Sequence, residues 1–170
     1  MINEINIGFE STSPLPHNSV IRFIIDEQLL VVHGFTMPVI VQTPSVLCSP
    51  PYSKPLKTTT VVALFDTGAS RTSISAIIAR DLELELIGYS PSITAAGKAV
   101  FSDYTVDILF PNAKLKSFEN LKVSVCDLPY DNSLSDIMLR SNFGVLIGRD
   151  MMARWNIVWN GPTSSVFISD

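Results

Sequence analysis

Five apolar residues, Val61 to Phe65, run directly into Asp66-Thr67-Gly68-Ala69-Ser70. A strand that reads as buried therefore delivers a carboxylate to its own end. An ionised carboxylate is costly to bury unless hydrogen bonds, a charge partner or partial protonation relieve it. The residues after Asp66 suit a built loop: Thr67 adds a hydroxyl, Gly68 permits a turn or a close backbone approach, and Ala69 keeps the site narrow. Taken alone, Asp-Thr-Gly is also the composition of an ordinary polar turn. A second motif further along the chain bears on the choice: Val145-Leu146-Ile147 is another short apolar run, and it stops at Gly148-Arg149-Asp150.

The surrounding pattern is mainly β. Val20 to Ile25, Gln28 to Val32, Pro38 to Gln42 and Val61 to Phe65 read as strands from their β-branched and aromatic content or their alternating polarity. Tyr104, Val106, Ile108 and Phe110 alternate with Asp103, Thr105, Asp107 and Leu109, and Leu121, Val123 and Val125 alternate with Lys122, Ser124 and Cys126. Both runs predict half-buried antiparallel strands. Asn156 to Trp159 and Ser165 to Ile168 close the chain as strands. Two short helices are expected, one from Ser75 to Leu84 with Ser75 as N-cap and one within Arg149 to Trp155. Four prolines between Pro44 and Lys57 mark a long surface loop.

At 170 residues the chain is sized for a single domain, 1–170. A composition 46% hydrophobic and 16% charged favours a folded globule. A net charge of -4 without a basic run argues against nucleic acid and against an anionic membrane surface as partners. The most apolar window, Val20 to Phe35, carries Arg22, Asp26, Glu27 and His33 and does not read as a membrane span. The first ten residues do not read as a targeting signal, so a cytoplasmic location is expected. Cys48 and Cys126 are expected to stay reduced, as structural residues. Neither His17 nor His33 has neighbours at metal-ligand spacing, and no serine-hydrolase elbow, zinc-protease pair or phosphate-cradling loop is present. No cofactor and no metal are expected.

Phe65-Asp66-Thr67-Gly68-Ala69-Ser70 resembles the Asp-Thr-Gly-Ala loop of the retropepsin-like aspartic proteases, the single-domain relatives of pepsin. Val145-Leu146-Ile147-Gly148-Arg149-Asp150 resembles the family's second motif, in the right order and with a helix and strands between. The resemblance spans about Val61 to Phe167. Residues 1–60, with their strands and proline-rich loop, have no clear counterpart. It implies a closed acid-protease-like β-barrel with two short helices, completed as a homodimer, because the chain carries one such aspartate and the chemistry needs two. Asp66 is then catalytic. Thr67, Gly68, Ala69, Leu146, Ile147 and Gly148 support the active-site loop, with Thr67 bonding into the opposite loop and Leu146 and Ile147 packing beneath.

The family also implies a hairpin flap between the first helix and the following strands, and Ala95, Ala96, Gly97 and Lys98 fall at its expected tip. Arg149 is expected in a structural ion pair. The implied activity is an aspartic endopeptidase acting on extended polypeptides. Three departures stand beside it: Ser70 and Arg71 replace acids found in retroviral enzymes, the segments Pro111 to Glu119 and Asp127 to Asn142 read as extra loops, and the N-terminal region is long. They motivate an alternative, a non-catalytic binding or assembly module on the same fold.

Overall fold

The computed structural model describes residues 9–10, 21–24, 34–94, 97–111, 115–131 and 142–169. Eleven strands are present among them: β1 (Phe9–Glu10), β2 (Ile21–Ile24), β3 (Thr36–Gln42), β4 (Thr58–Phe65), β5 (Ser73–Ser75), β6 (Gly88–Thr94), β7 (Gly97–Leu109), β8 (Phe118–Cys126), β9 (Phe143–Ile147), β10 (Asn156–Asn160) and β11 (Ser165–Ser169). Helix α1 spans Ala76–Asp81 and α2 spans Arg149–Met152. The expected strand at Gln28 to Val32 lies outside the described residues.

Strands pair in the order β3-β4-β9-β5-β8-β7-β6, and β7 returns to β3 through Ile40↔Leu109, Val41↔Ile108 and Gln42↔Asp107. That last pairing closes six strands into the expected barrel and leaves β6 outside it. Closure also pairs β3, which would otherwise be an open edge of the sheet. Strand β3 keeps strict alternation, with Met37, Val39 and Val41 buried. Strand β4 does not: Val61, Val62 and Ala63 are all buried. It lies between β3, antiparallel, and β9, parallel, with a register shift at Val62/Ala63. A continuous apolar run is what a strand covered on both faces requires.

Helix α1 begins where Ser75 Oγ accepts from the Ile77 amide at 3.2 Å, as the sequence predicts, and buries Ile78 and Ala79 against the barrel. The chain leaves it through Glu83 at a positive φ of 52°, so the helix ends before Leu84. A second sheet, β1-β2-β11-β10, packs Val166 and Ile168 into the same core. An aromatic cluster forms part of this core. The Trp155 ring centroid is 5.3 Å from those of Phe110 and Phe118 and 6.0 Å from that of Phe65, which in turn sits 4.4 Å from Phe35. Aromatic rings at such spacings supply much of the apolar burial in a domain of this size.

Two sequence expectations are corrected. Strand β8 starts at Phe118, inside the segment read as an extra loop, because Leu115 and Phe118 are needed in the core. Two carboxylates on the polar side of β7, Asp103 and Asp107, are buried, while Thr105 between them is half-buried. Strand β7 has neighbours on both sides, and each carboxylate is matched by donors from the elements that cover it. Asp107 accepts from the amides of Ser45 and Asn120, each at 2.8 Å, and from Gln42 Nε2 at 3.2 Å. The Ser45 contact fastens the start of the proline-rich loop to the barrel.

Candidate active site

Strand β4 ends at Phe65, and the Asp66 amide then donates to the Ile147 carbonyl at 3.0 Å, one residue beyond the parallel pair Phe65↔Ile147. The two sequence motifs therefore meet at the ends of adjacent parallel strands. Past that point the chain turns. Gly68 N donates to Asp66 Oδ1 at 2.7 Å and Ala69 N to the Asp66 carbonyl at 3.1 Å. One carboxylate oxygen is thus held by the loop's own backbone, and Asp66 is half-exposed rather than buried. Ile147 beneath it is fully buried and Leu146 half-buried.

The second motif clamps the first. The Arg149 amide donates to the Ala69 carbonyl at 3.0 Å, and its guanidinium Nη1 donates to the Thr67 carbonyl at 2.8 Å. Arg149 makes no ion pair among the described residues. Its guanidinium instead meets the carbonyl side of the loop. The Thr67 side chain is exposed.

Gly148 fits because nothing larger can. A Cβ there would lie 2.4 Å from the Arg71 carbonyl carbon and 2.8 Å from the Thr72 nitrogen. Contacts that short force backbone movement. Next to it, the buried Thr72 hydroxyl accepts from the Gly148 amide at 3.1 Å and donates to Asp150 Oδ1 at 2.8 Å. The Asp150 carboxylate also accepts from the Thr72 amide at 2.9 Å and from the Met151 amide at 2.9 Å. Asp150 therefore serves the loop that follows Asp66.

Strands β6 and β7 form a hairpin in register from Gly88↔Asp103 to Thr94↔Gly97. Its turn falls at the expected flap tip. Ala95 and Ala96 lie outside the described residues; Gly97 has a φ of 114°, a conformation that favours glycine, and Lys98 follows it, exposed. Thr94 Oγ1 donates to the Gly97 carbonyl at 3.0 Å across the turn. Ile93, Val100 and Tyr89 on this hairpin are 83%, 69% and 66% exposed, a concentration of apolar surface outside the core. Between the hairpin and the Asp66 loop lies a cleft of about 760 Å³ lined by Ser70, Pro91, Ser92, Ile93, Lys98, Ala99 and Val100. It meets the loop at Ser70, not at Asp66.

At the base of the hairpin sits a buried polar cluster that strand alternation does not predict. Asp103 Oδ2 accepts from Lys122 Nζ at 2.8 Å and from Ser90 Oγ, while Oδ1 accepts from Ser124 Oγ at 3.0 Å. Burial opposes ionisation of Asp103, but the Lys122 ammonium and the two hydroxyls outweigh it and hold its pKa below the ordinary value. Arg71 Nη1 donates to the same Ser90 oxygen at 2.8 Å. Alternation placed Asp103 and Ser124 on polar faces of their strands, so only tertiary pairing could reveal this cluster.

The aspartyl protease family model matches residues 56–150, more than half of the chain and both motifs. Among solved structures, the chain is similar to a retropepsin-like aspartic protease from Rickettsia conorii, with a TM-score of 0.50 and 15% identity over 95% of each chain. At that identity the likeness concerns the fold. No curated protein sequence matches. With both motifs inside the matched region, the chain belongs to the aspartyl protease family, and its fold is retropepsin-like.

Proposed function

We propose that the protein is an aspartic endopeptidase that cleaves extended polypeptides as a homodimer, with one Asp66 from each chain. The observation that carries this reading is the placement of Asp66. It is half-exposed at the end of a buried strand, with one oxygen held by Gly68 N and its loop clamped from behind by Arg149.

Two carboxylates brought together across a two-fold axis cannot both ionise, as is general for aspartic proteases. The ionised one takes a proton from water as the water attacks the scissile carbonyl. The protonated one gives its proton to the carbonyl oxygen, and collapse of the resulting diol returns a proton to the leaving amine. The pair titrates as a unit. The hairpin supplies the roof, gripping an extended substrate through its backbone and its apolar residues. Strand β10 lies at the edge of its sheet and exposes Val158 and Trp159, at 59% and 51%, which suits it to a dimer contact.

Asp66→Asn tests the reading. The variant should fold and dimerise as the wild type while losing peptide hydrolysis. Full cleavage by the variant would remove Asp66 from the chemistry. The presence of Ser70 where related enzymes carry an acid supports a second reading, a binding module without hydrolysis. In that case no peptide library is cut by either protein and partner binding survives the substitution.

A further inference from the structure

Arg71 occupies an unusual position between three elements. Its backbone lies against Gly148, so closely that a Cβ on that glycine would meet the Arg71 carbonyl oxygen at 2.6 Å. It follows the Asp66 loop directly. Its side chain reaches away from both motifs to Ser90 Oγ on β6, at 2.8 Å. Asp103 does not require that reach. The carboxylate is already met by Lys122, Ser90 and Ser124, and Lys122 neutralises its charge. Ser90 is 7% exposed and Asp103 is fully buried, so the anchor at the far end is rigid and shielded from water. The Ser90 hydroxyl spends its one proton on Asp103 and leaves its lone pairs for Arg71 Nη1 and, at 3.5 Å, Lys122 Nζ.

We propose that Arg71, Ser90 and Asp103 are positioning residues that fasten the β6–β7 hairpin to the Asp66 loop, so that the roof and the floor of the cleft keep a set spacing. The chain of contacts is short: Gly148 seats the Arg71 backbone, the guanidinium grips Ser90, and Ser90 is fixed by a buried carboxylate shared with β8. A charge-assisted bond of this kind is stronger than a neutral one. Its loss frees the base of the hairpin without opening the barrel, because β7 keeps its separate pairings with β8 and β3. This inference rests on the reading of the hairpin as the element that grips substrate.

Amide hydrogen exchange on the intact protein tests it, with Arg71→Met as the principal variant because Arg71 is exposed and the substitution leaves no buried group unpaired. Ser90→Ala is the second variant. Both should accelerate exchange across the hairpin, Ser90 to Ser102, by about fivefold or more, while β11 and α1 exchange at the wild-type rate. For a cleaved peptide that spans the cleft, KM should rise by a similar factor with kcat within about twofold. Unchanged hairpin exchange in both variants would overturn the proposal. So would acceleration spread evenly over the whole barrel, which is general destabilisation, or a fall in kcat at constant KM. If the wild type cleaves no peptide, the endopeptidase reading fails while the exchange rates still decide the coupling.

Discussion

Thr72 and Asp150 stand 78 positions apart in the chain and are joined through both the amide and the hydroxyl of Thr72, at 2.8 to 3.0 Å. The same hydroxyl accepts from Gly148 N. Through this one residue the segment after Asp66 is bonded directly to the Gly-Arg-Asp segment.

Thr72→Val keeps the shape but leaves the Gly148 amide without its acceptor and strips a donor from Asp150. A loss of about 2 kcal/mol is expected in urea denaturation, since buried groups left unpaired cost that much. In a double-mutant cycle with Asp150→Asn the pair should couple by about 1 kcal/mol or more. Additive losses would show that the two residues act separately.

Gly148→Ala should cost about 1 to 3 kcal/mol, the range for forcing atoms into a filled site, and should displace the Arg71 backbone. The check is the urea midpoint together with a crystal structure of the variant. An alanine accommodated at wild-type stability would contradict so close an approach of the Arg71 backbone.

Arg149→Met separates stability from activity. Arg149 is exposed and pairs with backbone carbonyls, so its removal should change the unfolding free energy by no more than about 1 kcal/mol. Peptide hydrolysis should fall by about tenfold or more, because the loop that presents Asp66 loses its rear support. The comparison to make is kcat/KM against the denaturation midpoint. A variant as active as the wild type would leave Arg149 without the assigned role.

Stability should fall in acid through Asp103 and Asp107. For Asp107, burial pushes the pKa up, but the amides of Asn120 and Ser45 and the Gln42 side chain more than offset it, and the folded-state value lies below the ordinary 3.8. Asp103 is lowered likewise, against the same ordinary value. A depressed pKa contributes stability that is complete above 3.8 and is lost as pH falls from there through the folded-state value. Urea midpoints should hold between neutrality and about pH 5 and drop by about pH 3. Asp107→Asn should be less stable at neutrality and flatter in acid. A wild-type midpoint that rises on acidification would contradict this.

Much of the fold was legible because burial imposes a period. The strands β3, β8 and β11 and the N-cap at Ser75 follow from local patterns, and β4 and β9 announce themselves as continuous apolar runs before polar loops. Which strands adjoin does not follow from those patterns, and the parallel pairing of β4 with β9 is what turns two short motifs into one site. The turn at Asp66 was legible through its loop composition. The supporting contacts were not. Arg149 was expected to meet an acid, but an exposed guanidinium finds carbonyls as readily, and only the path of the loop decides. Asp103 and Asp107 looked solvated because alternation assigns faces to a strand and cannot tell when both faces are covered. Thr72 carried no signal at all, being one hydroxyl among several in a polar stretch.

The central claim is that hydrolysis needs an Asp66 from each of two chains. It is tested most directly by mixing wild-type protein with increasing amounts of Asp66→Asn protein at constant total concentration, after subunit exchange, and measuring the initial rate of peptide cleavage. The paired mechanism predicts a rate that falls with the square of the wild-type fraction, since a mixed dimer has only one working carboxylate. A rate that falls in simple proportion to that fraction would show that one chain suffices, and would contradict the account.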